Sequence, residues 1–356
     1  MGNNNPFYFA NGDITRRSFM KISGILGLGL ATTAFLPMGA EAVKFNGRLY
    51  KVSKTRIAMG TFVSMTLVHP SRDEAENAMG HAFEEIDHLV GAMSRFDDTT
   101  AVGMLNREGV LHHVPQETAF VFSKAIEYYT LTQGSFDITV KPVVDLFREN
   151  FEKGNNSAPA EEEIAKAMEL VGAHMISVKG RSIYFKTPGM GITLDGIAKG
   201  YIVDRASEIL SRLGIENYLI NAGGDIRTKG TRQDKKPWTV AVQDPKKQGN
   251  YPDIVQMTNG AIATSGNYEI YFDREKMFHH IVDPQRGISP QTSSSVSVMA
   301  QTAMDADALS TSVFVMGPSK GVRFIETQPG CECLVIGRGG RKFKTNSWNK
   351  LKSQSI

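Results

Sequence analysis

Thr193-Leu194-Asp195-Gly196-Ile197-Ala198-Lys199-Gly200-Tyr201-Ile202-Val203-Asp204 carries three signals in one short run. An apolar stretch ends at Leu194. Gly196 then frees the backbone for a corner, and a helical pattern begins at Ala198 with Lys199 in its first turn. The run predicts a strand–turn–helix corner. Exposed backbone beside a helix N-terminus suits a phosphate or a phosphate-bound cation. The same residues also suit an ordinary corner with no ligand. The run is not a Walker loop, and no G-x-G-x-x-G follows a strand pattern anywhere in the chain.

Outward from this corner, strand and helix patterns alternate. Ile57–Val68 reads as a strand from its β-branched and apolar residues. Ser71 can cap a helix reaching Met93, with Ala78, Ala82, Ile86 and Leu89 at three- or four-residue steps. A second helix runs over 117–132 and stops at Gly134. Residues 153–160 read as a loop, and Glu161-Glu162-Glu163 opens a helix with charge suited to its N-terminus. Short strands are expected at 176–178 and 183–185, and a helix over 198–213 closes at Gly214. Strands at 218–220, 238–242, 261–263, 269–272 and 296–300 follow. Helices near 303–316 and 320–327 and a strand at 333–336 complete the pattern. No repeat or linker divides it, which predicts one compact, two-lobed α+β unit over 43–356.

Composition narrows the function classes. Lys and Arg total 40 against 37 acids, a balance of +3, which is no electrostatic footprint for nucleic acid. A hydrophobic share of 41% excludes a disordered chain. Two cysteines exclude a disulfide scaffold. Cys331 and Cys333 are spaced to face one side of a strand, where a mutual disulfide would be strained, so buried thiols are expected.

Residues 1–42 read as an export signal. Arg16 and Arg17 precede a short, glycine-containing apolar run from Ile22 to Leu36, and Ala40-Glu41-Ala42 fits a small-x-small cleavage site. This resembles a twin-arginine signal and predicts a periplasmic product beginning at Val43, with no membrane span of its own.

Three further runs could carry chemistry. Asn221-Ala222-Gly223-Gly224-Asp225 lets a ligand or another backbone approach a strand end, or forms a hairpin turn. His279-His280-Ile281-Val282-Asp283 sends its two rings to opposite strand faces, so they would not share a metal. A His with a nearby Asp can act as a general base. In Met304–Ser312, Asp307 and Thr311 are i, i+4 on a helix and supply two hard oxygens suited to Mg²⁺ that also takes phosphate oxygens. Alternatively Asp305 or Asp307 caps that helix.

Met59-Gly60-Thr61, Gly134–Pro142, Asp195–Tyr201, Asn221–Asp225, Thr264–Tyr268, His280–Pro284 and Ala306–Thr311 occur in one order. Together they resemble the ApbE-type FAD:protein FMN transferases over about residues 54–337. The resemblance implies a T-fold-like architecture that binds FAD and Mg²⁺. It implies cleavage of the pyrophosphate and attachment of FMN to a Ser or Thr of a protein acceptor, with release of AMP. The implied acceptors are flavin-bearing subunits of membrane redox complexes facing the periplasm. The implied metal ligands are the Gly196 carbonyl, the Asp307 carboxylate and the Thr311 hydroxyl. The implied flavin contacts are Met59, Phe96, Ser135, Phe136, Asp137, Thr193, Lys199 and Ile281. His280 or Asp283 is the base that the chemistry requires. Thr193 stands where many members carry Asp, and Asp195 replaces that acid only if the strand extends so far. An FAD pyrophosphatase and a non-catalytic flavin-binding assembly factor are the alternative functions.

Overall fold

The computed structural model describes residues 41–45, 48–155, 157–232, 235–246, 251–268, 272 and 278–349. All but the last two residues of the expected export signal lie outside them, as does most of the strand expected at 269–272.

The chain opens with strands β1 (Glu41–Phe45), β2 (Leu49–Ala58) and β3 (Thr61–His69). The expected single strand over 57–68 is therefore a hairpin. Met59 and Gly60 both take positive φ (53° and 68°), the geometry of a tight two-residue turn. Methionine is no turn former, which hid the reversal. Helices α1 (Arg72–Met93) and α2 (Ala101–Glu108) and the short strand β4 (Val110–Leu111) follow. Ser71 caps α1 as expected, accepting the Glu74 N–H at 3.3 Å. Next come α3 (Gln116–Leu131), α4 (Lys141–Glu152), α5 (Glu161–Met168), β5 (Ile176–Lys179) and β6 (Ser182–Phe185). The second half runs α6 (Ala198–Arg212), β7 (Tyr218–Ala222), β8 (Asp225–Lys229), β9 (Trp238–Ala241), β10 (Ile254–Met257), β11 (Gly260–Gly266) and β12 (Ser293–Ala300). It ends with α7 (Ala303–Met316), α8 (Pro318–Glu326), β13 (Glu332–Gly337) and β14 (Lys342–Lys344).

Nine strands form one antiparallel sheet in the order β1-β2-β3-β7-β8-β11-β12-β13-β14. Helices α1, α6 and α7 pack side by side on one face. Alternation along the strands divides the side chains between two cores. Ala261, Ala263, Cys333 and Val335 join the helix-side core, while Ile262, Leu334 and Ile336 join the other. The β9–β10 hairpin and Trp348 cover that second face. Trp348 is fully buried, and its indole N–H donates to Asp253 at 3.0 Å, so its polar edge is satisfied. On the helix side, α1 buries Met79, Phe83, Ile86 and Leu89, each stabilising the fold by about 1.5–3 kcal/mol.

A small sheet, β4-β6-β5, with α2 and α3 forms the second lobe. Leu111, Val114 and Ile183 belong to the same core as the helix layer, so the lobes share one interior. Both cysteines are free, with Cys333 buried and Cys331 partly so. Burial pushes their thiols up to about 12 and about 11. Among the described residues no helix is long and apolar enough to cross a membrane.

Candidate functional site at the N-terminus of helix α6

The run 191–194 joins no sheet, contrary to the strand expected there. Side chain and backbone of other segments hold it instead. Asn106 Oδ1 accepts the Ile192 N–H at 2.7 Å, Asn106 Nδ2 donates to the Ile192 carbonyl at 3.0 Å, and Thr193 N–H donates to the Ile138 carbonyl at 2.8 Å. Residues 195–197 then turn into α6. Asp195 lies in that turn, exposed, and accepts from Arg95 Nε at 2.8 Å. It does not take the place of an acid at Thr193, because no strand reaches it. The Thr193 hydroxyl instead accepts the Asp195 N–H at 3.2 Å and closes the turn.

Gly196 sits at the tip. A Cβ there would lie 3.0 Å from Thr311 Oγ1 and 3.3 Å from the Phe136 ring. Glycine lets the α6 corner, the third turn of α7 and the 134–137 segment converge with no Cβ to crowd them. Ser265 at the end of β11 extends the hydroxyl group: its Oγ lies 3.2 Å from Thr311 Oγ1 and 2.8 Å from Ser310 Oγ.

Helix α6 has no cap of its own, since Ile197 offers no side-chain acceptor. Asp307, 4% exposed, reaches across from α7, and its Oδ2 accepts the Gly200 N–H at 3.1 Å. The expected alternative, that Asp305 or Asp307 caps α7, is not what the structure shows. Thr302 caps α7 by accepting the Asp305 N–H at 3.1 Å. Asp305's carboxylate accepts the Tyr128 hydroxyl at 2.6 Å, and burial together with that acid raises the phenol's pKa.

Lys199 points back to the sheet, its Nζ 3.1 Å from Asp225 Oδ2. Burial raises the Asp225 carboxyl, and the ammonium beside it opposes that shift. Gly223 and Gly224 form the β7–β8 turn with φ of 63° and 106°, so the glycine pair is a hairpin turn. A Cβ on Gly223 would lie 2.5 Å from Thr61 Oγ1, which seats the Met59–Gly60 turn against it.

Of the remaining candidates, Phe136 touches the corner directly and Phe96 reaches it through Arg95, while among the described residues no contact brings Asp137 or Ile281 to it. Phe96 is 72% exposed, unlike a core aromatic, and its ring lies 4.3 Å from the Arg95 guanidinium that grips Asp195. Ser135 and Phe136 are buried, with Phe136 edge-on to Tyr128 at 6.0 Å. Asp137 turns inward: its carboxylate accepts from Thr139 N at 2.8 Å, Thr139 Oγ1 at 2.6 Å and Ala173 N at 3.1 Å. Burial still raises its carboxyl. Ile281 is buried in the main core.

Residues 279–283 do not form the expected strand. Only His279 makes an isolated bridge. His279 is buried edge-on against Phe314 of α7 at 5.4 Å, while His280 is half-buried, with its ring 6.5 Å from that of His279. Asp283 Oδ1 accepts the Gln285 N–H at 2.9 Å within a tight turn. Gln285 Nε2 donates to the Gln133 carbonyl at 3.3 Å, so this turn rests on the segment leading to Ser135.

Among the described residues, no group of three or more His, Cys, Asp or Glu side chains is placed to hold a metal. A hard cation does not need such a group. Asp307, Thr311 and the Gly196 carbonyl form an all-oxygen set, and the space where a Cβ would stand at Gly196 is walled by Thr311 itself. The donor chemistry fits Mg²⁺. Two clefts, of about 560 and 1130 Å³, lie beside β8 and beside α3, and none of the candidate residues lines either.

Asp204, Arg95 and Ser265 were given no role from sequence. Asp204 had a signal: it is an acid directly after the apolar run Tyr201-Ile202-Val203, four residues on from Gly200.

Residues 59–335 match the profile of the ApbE family, which spans well over half the chain and every motif at the corner. The chain belongs to the ApbE family. Its relatives include the FAD:protein FMN transferase of Haemophilus influenzae, 30% identical over 347 residues and covering 93% of this chain and 97% of the relative. The FAD:protein FMN transferase of Vibrio cholerae is 34% identical over 247 residues, covering 68% of this chain and 74% of the relative. Among solved structures, an ApbE protein from Thermotoga maritima matches with a TM-score of 0.76 at 30% identity, covering 85% of this chain and 99% of its own. The flavin transferase ApbE from Vibrio cholerae matches with a TM-score of 0.73 at 26% identity, covering 88% and 100%. The ApbE architecture thus holds throughout the sheet and helix layer.

Proposed function

We propose that this ApbE-family chain transfers FMN from FAD to a Ser or Thr hydroxyl of a protein, releasing AMP, with Mg²⁺ as cofactor. The acceptor in this reading is a periplasmic flavoprotein subunit of a membrane redox complex, reached after twin-arginine export. The observation that carries it is the close approach of Thr311 and Phe136 to Gly196, where a Cβ would stand 3.0 and 3.3 Å from them, beside an Asp307 held at the same helix start.

The acceptor hydroxyl oxygen bonds to the phosphorus of the FMN half, and the P–O bond to the AMP half breaks. The hydroxyl proton passes to a base, and AMP leaves with the bridging oxygen. Such transfer depends on positioning and on charge placed where it develops. When bound, Mg²⁺ would be held by Gly196, Asp307 and Thr311 and would neutralise charge on the pyrophosphate. Lys199, in the first turn of α6, pairs with Asp225 toward the sheet and serves as a flavin contact in this reading. Phe96, largely exposed, offers aromatic surface for a planar ring. His280 or Asp283 is the base in this reading. An imidazole exchanges protons near neutral pH.

Product analysis tests the reading. With FAD, Mg²⁺ and an acceptor flavosubunit, AMP should appear in step with covalently bound flavin. FMN and AMP released in equal amounts without protein modification would make the protein a pyrophosphatase. Bound FAD that stays intact would make it an assembly factor.

A further inference from the structure

Helices α6 and α7 touch through their backbones. A Cβ on Gly200 would lie 2.3 Å from the Ala303 carbonyl oxygen, so nothing larger than glycine fits the crossing. One turn further along α6, on the same face, stands Asp204. Its two carboxylate oxygens each accept one N–H from the first residues of α7: Ala303 N to Oδ1 and Met304 N to Oδ2, both at 2.9 Å. Asp307 answers from α7 by accepting the Gly200 N–H. Each helix start is thus held by an acid of the other. Arg227 of β8 adds a third tie, with Nε 3.8 Å from Asp204 and Nη1 donating to the Gln301 carbonyl just before α7.

Thr302 caps α7 at the Asp305 N–H alone, which leaves the two N–H groups before it to Asp204. Burial raises the Asp204 carboxyl to about 6, against the pull of the two N–H groups, so the ionised acid is held at a cost.

We propose that Asp204 is a positioning residue for the cation site: by gripping the first two N–H groups of α7 it fixes that helix's rotation and height against α6, and so places Asp307 and Thr311 over Gly196. The proposal rests on the Mg²⁺ reading of that corner. A helix free to turn or slide at this crossing would carry both oxygen ligands with it, since they lie one turn apart on one face.

Mn²⁺ binding, followed by electron paramagnetic resonance in the presence of FAD, gives a direct test. Wild type, Asp204→Asn and Thr302→Ala are compared, each with its urea-unfolding midpoint. Asp204→Asn should bind Mn²⁺ at least tenfold more weakly. Thr302→Ala should unfold at lower urea yet bind Mn²⁺ as wild type does. Equal Mn²⁺ affinity in Asp204→Asn and wild type would overturn the proposal, as would weakening in both variants in proportion to lost stability. If wild type with FAD takes up no Mn²⁺, the corner is not a cation site and the proposal falls with that reading. Should Asp204→Asn fail to fold, amide exchange on wild type decides. FAD with Mn²⁺ should slow exchange at Ala303 and Met304, and unchanged exchange there would overturn the proposal.

Discussion

Asp307 does two jobs that a substitution can separate. Asp307→Ala removes both the proposed cation ligand and the acceptor for the Gly200 N–H, so it should also cost about 1 kcal/mol of stability. Asp307→Asn keeps an acceptor oxygen, so urea unfolding should stay close to wild type. Its kcat/KM for FMN transfer should nevertheless fall about 100-fold or more. Normal activity in Asp307→Asn would reduce the residue to a cap. Asp204 makes a separate prediction in pH. Its folded value, raised to about 6, lies above the unfolded value of about 3.9, so the folded state holds the proton more tightly. Its contribution is fully present below that unfolded value and is lost as pH rises through about 6, on the order of 3 kcal/mol. Asp204→Asn should flatten that slope in unfolding measured between pH 4 and 6.

At the scale of elements, the α6–α7 crossing is the joint on which the site depends. Gly200→Ala forces a methyl against the Ala303 backbone, which cannot rotate away as a side chain would. The expected cost is about 3 kcal/mol or more, read as a lower urea midpoint with loss of activity. An unchanged midpoint would mean the helices separate without penalty. Three helices were legible because their patterns are long, and α1, α6 and α7 begin within a residue of expectation, whereas α2 and α4 were not expected at all. Short elements were not legible. The β2–β3 reversal hid behind Met59. Strand β8 begins at the acid of a glycine-rich run, and the 191–194 segment has strand composition but takes its hydrogen bonds from Asn106 and Ile138. The motif residues announced the corner, whereas Asp204, Arg95 and Ser265 act through contacts between elements, which no spacing in the sequence records.

For the whole molecule, the sheet brings two turns to one end: Met59–Gly60 and Gly223–Gly224. The helix layer brings the α6 start to the same place through the Lys199–Asp225 pair. The antiparallel order that achieves this was not readable from a list of strands, because neighbours such as β3 and β7 are separated by the entire small lobe. Chelation should abolish transfer and added Mg²⁺ should restore it, while the unfolding midpoint moves little, since the core is built without the cation. His280→Ala should slow transfer by about 10²–10⁴-fold while FAD still binds; transfer at the wild-type rate would pass the base role to Asp283.

The most direct measurement is a crystal structure with FAD and Mn²⁺, read by anomalous scattering. The account predicts a peak bonded to the Asp307 carboxylate, the Thr311 hydroxyl and the Gly196 carbonyl, with the pyrophosphate against it. A flavin bound with no peak at that corner, or with Asp307 and Thr311 turned away from the phosphates, would contradict it.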